Sequence, residues 1–164
     1  MPAEVYASLG SNQDRENNIR LAVKALRAHY GTLRLSPVYQ NKAVGFAGDD
    51  FLNMVVAFNT EESPDVVQQQ FRRIEDAAGR VRGGAKFAPR QLDIDLILYD
   101  DLVRSDEDLS LPREDIEIYG FVLLPLAELA PDVLHPVLKS SYAQMWQTFT
   151  GERNLQRVEL DFDA

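Results

Sequence analysis

Residues 92–98 read Leu-Asp-Ile-Asp-Leu-Ile-Leu, which is the sharpest local feature of the chain. Successive side chains of a β-strand point to opposite faces, so the apolar and acidic residues separate. One face would carry Leu92, Ile94, Leu96 and Leu98. The other face would carry Asp93 and Asp95. The stretch therefore predicts a strand that covers a core with one face and presents two carboxylates on the other.

The residues before this strand predict an alternation of strands and helices. Apolar periodicity indicates strands over residues 4–9, 33–39 and 51–58, and helices over 14–29 and 63–78. Ser63-Pro64-Asp65 supplies an N-cap, a first-turn proline and a first-turn acid, and Gly79 ends that helix. With the strand over 92–99, the order is βαββαβ, as in ferredoxin-like domains. We therefore expect an α+β fold, with helices on one face of an antiparallel sheet.

The C-terminal third adds smaller elements to that unit. Apolar runs indicate short helices over residues 121–129 and 141–149, and a last edge strand over 154–160. The chain contains no internal repeat, no low-complexity tract and no linker between two apolar regions. We therefore expect a single domain over residues 1–164.

The composition excludes several classes of protein. The 164 residues include 17 basic and 26 acidic ones, and the net charge of −9 repels the phosphate backbone of nucleic acids. The chain has no cysteine, which excludes disulfides, thiolate zinc sites and cysteine nucleophiles. No apolar run is long enough to span a membrane, and the N-terminus lacks the features of a signal peptide. We expect a cytoplasmic protein without nucleic-acid or membrane partners, and a monomer.

Charge is distributed unevenly along the chain. Residues 80–90 contain four basic residues and no acidic one, whereas residues 100–117 contain eight acidic residues and two basic ones. The basic residues of the first segment are Arg80, Arg82, Lys86 and Arg90. Gly79, Gly83 and Gly84 make this segment pliable, and a pliable basic loop is suited to closing over a polyanion such as a nucleoside triphosphate. The alternative is an ordinary solvated loop.

Asp93 and Asp95 are candidate ligands of a divalent cation. Two carboxylates on one face of a mostly apolar strand repel each other and lose hydration. A cation would offset both costs, and oxygen ligands without nitrogen or sulfur favour magnesium, which also binds substrate phosphates. A solvent-exposed strand end could instead hold both carboxylates without a metal. Because the basic loop leads directly into this strand, the combination indicates metal-assisted phosphoryl transfer.

A second cluster could bind a flat heterocycle. Phe51 and Asn53 begin the strand over residues 51–58, and a ring face beside an amide suits stacking and hydrogen bonding. Phe51 could equally be a core residue and Asn53 a satisfied turn amide. Nothing near His29 or His135 supports catalysis, and we interpret both as structural.

Several motifs together resemble those of a known family. The most specific are Gly79-Arg-Val-Arg82 and, after it, Pro89-Arg90-Gln-Leu-Asp93-Ile-Asp95. The others are Ser8-Leu-Gly10-Ser-Asn12, Ser36-Pro-Val-Tyr39, Phe51-Leu-Asn53, Ile74-Glu75 and Gly120-Phe121-Val-Leu-Leu-Pro125-Leu. Over residues 4–136 the chain resembles the 6-hydroxymethyl-7,8-dihydropterin pyrophosphokinase (HPPK) family of folate biosynthesis.

The resemblance implies a ferredoxin-like α+β fold and a transfer of pyrophosphate from ATP to the hydroxymethyl group of a reduced pterin, with release of AMP. It implies that Asp93 and Asp95 hold two magnesium ions and that Asp95 is catalytic. Arg82 and Arg90 would contact the phosphates of ATP. Arg80 would assist closure of the loop, and Arg80 and Arg82 would both be catalytic.

The remaining implied roles concern the contacts to the two substrates. Glu75 and Leu96 would lie near the nucleotide. Asn53 would hydrogen-bond the pterin, and Phe51 and Phe121 would sandwich its ring.

The chain departs from the family pattern on the nucleotide side. Asp108 and Tyr119 stand where the family often has basic residues or histidine, so we expect weaker ATP binding than in members with those cations. Arg113 retains a positive charge at a third such position. Asn41-Lys42 replaces the usual threonine-proline, which leaves open whether the acceptor is the usual pterin or a modified one.

Two other functions compete with an active pyrophosphokinase. A divergent paralogue could bind a pterin or a nucleotide without turnover, as a sensor or partner protein, although a mere binder has no need of a two-metal site. A metal-dependent phosphohydrolase could use Asp93 and Asp95, but Phe51 and Phe121 would then have no purpose.

Overall fold

The computed structural model describes residues 2–41, 50–79 and 92–162, which form a mixed α+β fold. The strands are β1 (Ala3–Ser11), β2 (Arg34–Leu35), β3 (Val38–Asn41), β4 (Phe51–Thr60), β5 (Asp93–Tyr99), β6 (Arg104–Ser105), β7 (Ser110–Leu111) and β8 (Gln156–Val158). The helices are α1 (Arg15–Tyr30), α2 (Pro64–Ala77), α3 (Asp115–Ile118), α4 (Gly120–Leu129) and α5 (Tyr142–Gln147).

Six of the described strands form one antiparallel sheet. Its strand order is β5-β1-β4-β3-β8, and β2 also pairs with β4. The longest ladder joins β1 to β4, from Ala3 opposite Thr60 to Ser11 opposite Leu52. The order of β1, β3, β4 and β5 is that of a ferredoxin-like βαββαβ unit, so the predicted fold class is confirmed. The predicted C-terminal edge strand is also present, as β8, and it pairs with β3.

Helices cover both faces of this sheet, so the expectation of helices on one face is wrong. α1 and α2 pack on one face over a buried cluster that includes Leu9, Met54 and Phe71. α4 and α5 pack on the other face over a cluster that includes Val55 and Leu123. The physical reason is visible in β4, which is a nearly continuous apolar run with eight buried residues, because its alternate residues face two different cores.

The strand expected over residues 33–39 is divided into two. β2 and β3 lie on either side of Pro37, which has no N–H to donate to a ladder. Ser36 bridges the interruption, since its main-chain N–H donates to the carbonyl of Val55 and its hydroxyl accepts from the N–H of Val55. The turn expected at residues 10–12 is likewise shorter, because β1 continues through Ser11.

The alternation predicted for residues 92–98 holds for most of β5 but fails at its end. The pairing register shifts between Tyr6 and Ala7 of β1, opposite Ile97. Ile97 and Leu98 consequently both join the core cluster beneath α4. Leu98 therefore does not share a face with Leu96, contrary to the prediction.

The boundaries of α2 follow the predicted capping signals. The Ser63 hydroxyl accepts the N–H of Val66 at 3.3 Å, and Pro64 opens the helix. Gly79 follows the helix with a φ of 90°, a conformation that glycine adopts without a steric penalty.

The segment between β5 and α4 contains structure that the sequence did not predict. β6 and β7 form a two-stranded hairpin, and α3 is a single turn. Arg104 holds the hairpin against α2 through a bidentate contact with Asp65, at 2.8 and 2.9 Å. None of the helices in the described ranges has the length and apolar character to cross a membrane.

Candidate active site

A cavity of about 350 Å³ lies where the C-terminal end of β1 meets the N-terminal ends of β4 and β5. This volume falls in the range of small-molecule sites. It is lined by Ser8, Gly10, Asn41, Phe51, Asn53, Asp93, Asp95, Asp115, Tyr119, Phe121 and Val122. The two predicted carboxylates, the predicted amide and both predicted rings therefore meet in one cavity.

β5 presents Asp93 and Asp95 to this cavity. Across the ladder Asp93 pairs with Gly10 and Asp95 with Ser8, so both carboxylates stand beside small residues. Ile94, between them, is buried in the opposite core, whereas the two aspartates are half-buried. The predicted separation of carboxylates from apolar side chains is confirmed at these three positions.

A third carboxylate, which the sequence did not single out, lines the same cavity. Asp115 lies at the start of α3, and Arg113 links it to β5. The Nε atom of Arg113 lies 3.1 Å from Oδ2 of Asp115, and its Nη2 atom lies 3.9 Å from Oδ1 of Asp95. Asp115 belongs to the acid-rich segment 100–117, but its charge alone did not distinguish it from its neighbours.

Arg113 is a cation held beside these carboxylates. Burial disfavours its charged form, but Asp95 and Asp115 outweigh that cost and raise the pKa of the guanidinium. The main-chain N–H of Arg113 donates to the carbonyl of Ile97 at 3.0 Å, which fixes the segment against β5. The acidic side of the cavity is therefore partly neutralised by the protein itself.

The amide of Asn53 is clamped between two neighbours. The residue is 4% exposed, and its Nδ2 atom donates to Oδ1 of Asn41. A Cβ on Gly10 would lie 3.0 Å from Oδ1 of Asn53, so only glycine leaves the amide oxygen undisturbed. An amide held in one orientation at a cavity wall can read the donor and acceptor pattern of a flat ring.

Among the described residues, three aromatic rings line the cavity. Phe51 begins β4 and Phe121 begins α4. The ring of Tyr119 stacks on Phe121, with centroids 4.8 Å apart and planes inclined by 22°. The main chain of Tyr119 is held, since its N–H donates to the carbonyl of Asp115 and its carbonyl accepts from two N–H groups of α4. Tyr119 thus adds a ring to the aromatic side of the cavity.

Two residues expected near a nucleotide are buried away from this cavity. Glu75 is 5% exposed, and its Oε2 atom accepts the N–H of Ile94 at 2.9 Å. Leu96 is 3% exposed in the core beneath α1 and α2. A ligand could reach Leu96 only at its main chain, because the side chain is enclosed.

The other residues singled out from the sequence are the arginines of the basic loop and the two histidines. Arg80, Arg82 and Arg90 lie outside the described residues, so the basic loop stays a prediction. His29 contacts Glu62, with Nε2 2.8 Å from Oε2. His135 accepts the main-chain N–H groups of Val137 and Leu138 at its Nδ1 atom. Both contacts are of the structural kind.

The fold matches solved structures of HPPK-containing proteins. The crystal structure of wild-type Plasmodium falciparum HPPK-DHPS aligns with a TM-score of 0.70 and 13% identity. The alignment covers 91% of this chain but only 45% of the solved chain. At this identity the likeness concerns the fold alone, and it places the protein in the class of α+β domains with the HPPK fold.

The sequence comparisons then identify the family. The model of the 7,8-dihydro-6-hydroxymethylpterin-pyrophosphokinase (HPPK) family matches residues 6–131. A 2-amino-4-hydroxy-6-hydroxymethyldihydropteridine pyrophosphokinase of Aquifex aeolicus is 35% identical over 156 residues, which cover 94% of each chain. The Methylorubrum extorquens protein of the same name is 39% identical over 133 residues, which cover 79% of this chain and 84% of that protein. This chain belongs to the HPPK family.

Proposed function

We propose that this protein transfers the pyrophosphoryl group of ATP to the hydroxymethyl group of 6-hydroxymethyl-7,8-dihydropterin, a step of folate biosynthesis. The hydroxymethyl oxygen forms a bond to the β-phosphorus of ATP, and the bond from that phosphorus to the α,β-bridging oxygen breaks. AMP leaves, and the hydroxyl proton is lost to solvent. The observation that carries the proposal is the single cavity that holds a ring pair, a fixed amide and two strand carboxylates in a chain of the HPPK family.

The pterin would occupy the aromatic end of the cavity. Phe51 and Phe121 would contact its ring faces, and Asn53 would hydrogen-bond its edge. The support is that all three line the cavity and that the Asn53 amide is held by Gly10 and Asn41. A substrate held in one orientation presents its hydroxymethyl group at a fixed place, which lowers the entropic part of the barrier.

The carboxylates of the cavity fit magnesium. Among the described residues, no three acidic or histidine side chains form a complete metal site by themselves. Magnesium suits such a site, because it takes one or two carboxylates and completes its coordination with water and substrate phosphates. Asp93 and Asp95 would hold two ions, which when bound would neutralise charge on the triphosphate.

The nucleotide would approach from the segment that precedes β5. Arg82 and Arg90 are proposed to contact the phosphates of ATP, and Arg80 is proposed to assist loop closure. The support is their position in the chain, since Arg90 comes three residues before Asp93. Leu96 would contribute its main chain to the same region.

The first test is to incubate the protein with ATP, magnesium and hydroxymethyl-dihydropterin and to measure AMP, ADP and pterin mass together. We expect AMP and a pterin that has gained a diphosphate. Asp95→Ala should abolish turnover, whereas Asp132→Ala, which removes an exposed carboxylate outside the cavity lining, should retain it. Saturable pterin binding without product would contradict the proposal and would indicate a non-catalytic binder.

A further inference from the structure

We propose that Glu75 is a positioning residue for β5. Its buried carboxylate fixes the main chain between Asp93 and Asp95, and thereby the geometry of these two proposed metal ligands. The proposal rests on the proposed function, because that function assigns the two aspartates to the metal. It also replaces the nucleotide contact that the family resemblance implied for Glu75.

β5 is an end strand of the sheet as far as the structure describes it: among the described strands, it pairs with β1 alone. Main-chain groups on the outer side of an end strand have no ladder partner. The N–H of Ile94 is satisfied by Oε2 of Glu75 at 2.9 Å, 19 residues earlier in the chain. A side chain of α2 therefore supplies the contact that a neighbouring strand would have made.

The acceptor of this hydrogen bond, the Glu75 carboxylate, is held firmly by the packing of α2. Glu75 is 5% exposed on a helix whose Val67 and Phe71 side chains are fully enclosed in the core. The hydroxyl of Ser63 fixes the start of that helix. The hydrogen bond itself is buried, and in that low-dielectric surrounding water does not compete for the acceptor. Glu75 is thus a rigidly held acceptor that fixes the position of β5.

The hydrogen bond from Ile94 to Glu75 controls the position of the main chain between the two aspartates. Ile94 is the residue between Asp93 and Asp95, and its side chain is buried in the opposite core. A displacement of the Ile94 main chain would move both aspartates, since each is one peptide unit away. Groups that orient metal ligands from behind change metal affinity by about 10- to 100-fold when they are removed.

Two substitutions separate a positioning role from a direct contact. Glu75→Gln keeps an oxygen at the end of a side chain of the same length but removes the charge. Glu75→Asp keeps the charge but withdraws the acceptor by one methylene. A positioning role depends on where the acceptor lies, whereas a nucleotide or metal contact depends on the charge.

The experiment is a calorimetric titration of each variant with Mn²⁺ in the presence of the non-hydrolysable analogue α,β-methylene ATP. We expect Glu75→Asp to weaken Mn²⁺ binding by about 10- to 100-fold and Glu75→Gln to stay close to wild type. The matched control is Val67→Ala, which opens a cavity on the same helix without removing a hydrogen bond. It should lower the unfolding temperature but leave Mn²⁺ affinity close to wild type.

Hydrogen exchange at the Ile94 amide supplies a readout that needs neither metal nor turnover. We expect faster exchange in Glu75→Asp and near-wild-type protection in Glu75→Gln. The reverse order of the two variants in Mn²⁺ affinity would overturn the proposal, as would an equal loss in Val67→Ala. A wild-type protein that binds neither Mn²⁺ nor nucleotide would refute the proposed function and this inference with it. A wild type that binds both, with Glu75→Asp equal to it, would refute the positioning role alone.

Discussion

At the scale of single residues, the pterin side of the cavity depends on the packing around one amide. Gly10, opposite Asn53 on β1, has no side chain, and a Cβ there would lie 3.0 Å from Oδ1 of Asn53, close enough to displace the amide. Asn41 fixes the amide from the other side. Gly10 and Asn53 are 43 residues apart in sequence, and the sheet register explains why they act together.

Asn53→Ala should weaken pterin binding by about 1–3 kcal/mol, because it removes the proposed hydrogen bonds and leaves the partners of the amide unsatisfied. Fluorescence titration with 6-hydroxymethylpterin measures the loss directly. Asn59→Ala is the matched control, since Asn59 lies on the same strand but is exposed. Equal affinities in the two variants would contradict the assignment of Asn53.

Tyr119 is one of the two positions, with Asp108, at which the family resemblance leads us to expect a lost positive charge. Tyr119→Arg should strengthen nucleotide binding by up to about 3 kcal/mol, because it restores a charge-assisted contact. Tyr119→Phe keeps the stacked ring without a cation and should bind the nucleotide as the wild type does. Calorimetric titration with α,β-methylene ATP compares the three proteins, and an unchanged affinity in Tyr119→Arg would remove the proposed cause of weak ATP binding.

At the scale of elements, the sequence was informative where a local rule determined the outcome. α2 begins and ends at its capping residues, and the first half of β5 alternates as its apolar and acidic residues require. The predictions failed where distant residues decided. The register shift opposite Ile97 depends on β1, and the placement of α4 on the second face depends on the double burial of β4. The contact from Glu75 to Ile94 has no local signal at all.

His135, in the turn after α4, should make the free energy of unfolding depend on pH. Burial lowers the pKa of His135, although Glu117, 3.9 Å from its Nε2 atom, opposes the shift. In the unfolded chain the imidazole titrates near its ordinary value of about 6.5. Below that pH the unfolded chain takes up the proton first, so the free energy of unfolding falls until the pH reaches the lowered folded-state pKa.

His135→Asn keeps an oxygen that can accept the N–H groups of the turn but removes the titration. As the pH falls from neutral through about 6.5, the wild type should therefore lose more stability than the variant. Urea unfolding at a series of pH values measures the difference. Parallel curves for the two proteins would show that His135 does not contribute.

At the scale of the whole molecule, the C-terminal segment completes the fold without lining the cavity. β8 pairs with β3, and Val158, Leu160 and Phe162 pack against the core beneath α1. Arg20 and Arg27 of α1 donate to the carbonyls of Asp161 and Phe162. Sequence periodicity indicated an edge strand here, but its contacts with α1 depend on the tertiary fold.

Removal of residues 154–164 should lower the free energy of unfolding by about 2–5 kcal/mol, because three partly buried apolar side chains and two hydrogen bonds are lost. Urea unfolding of the truncated chain tests this. Affinity for 6-hydroxymethylpterin should be unchanged at temperatures where the truncated chain is folded, since the cavity is lined by residues up to Val122. An unchanged unfolding curve would contradict the prediction.

The candidate site was predictable to the extent that its residues lie in short motifs. Phe51, Asn53, Asp93, Asp95 and Phe121 were all identified from sequence, and all five line the cavity. Asp115 was not identified, because it reaches the cavity only through the tertiary packing of α3, whose Ile116 lies in the same core cluster as Ile97 of β5. The contact of Arg113 with Asp95 depends on the same packing.

The hydrogen bond between Glu75 and Ile94 also affects how molecules of this protein meet each other. An end strand with unpaired main-chain groups is a template for β-pairing with a second chain, and such pairing leads to aggregation. On β5 the N–H of Ile94 and the carbonyl of Ile97 are already engaged, by Glu75 and by the main chain of Arg113. The strand that carries Asp93 and Asp95 is therefore closed to intermolecular strand addition at these two positions, although it lies at the end of the described sheet.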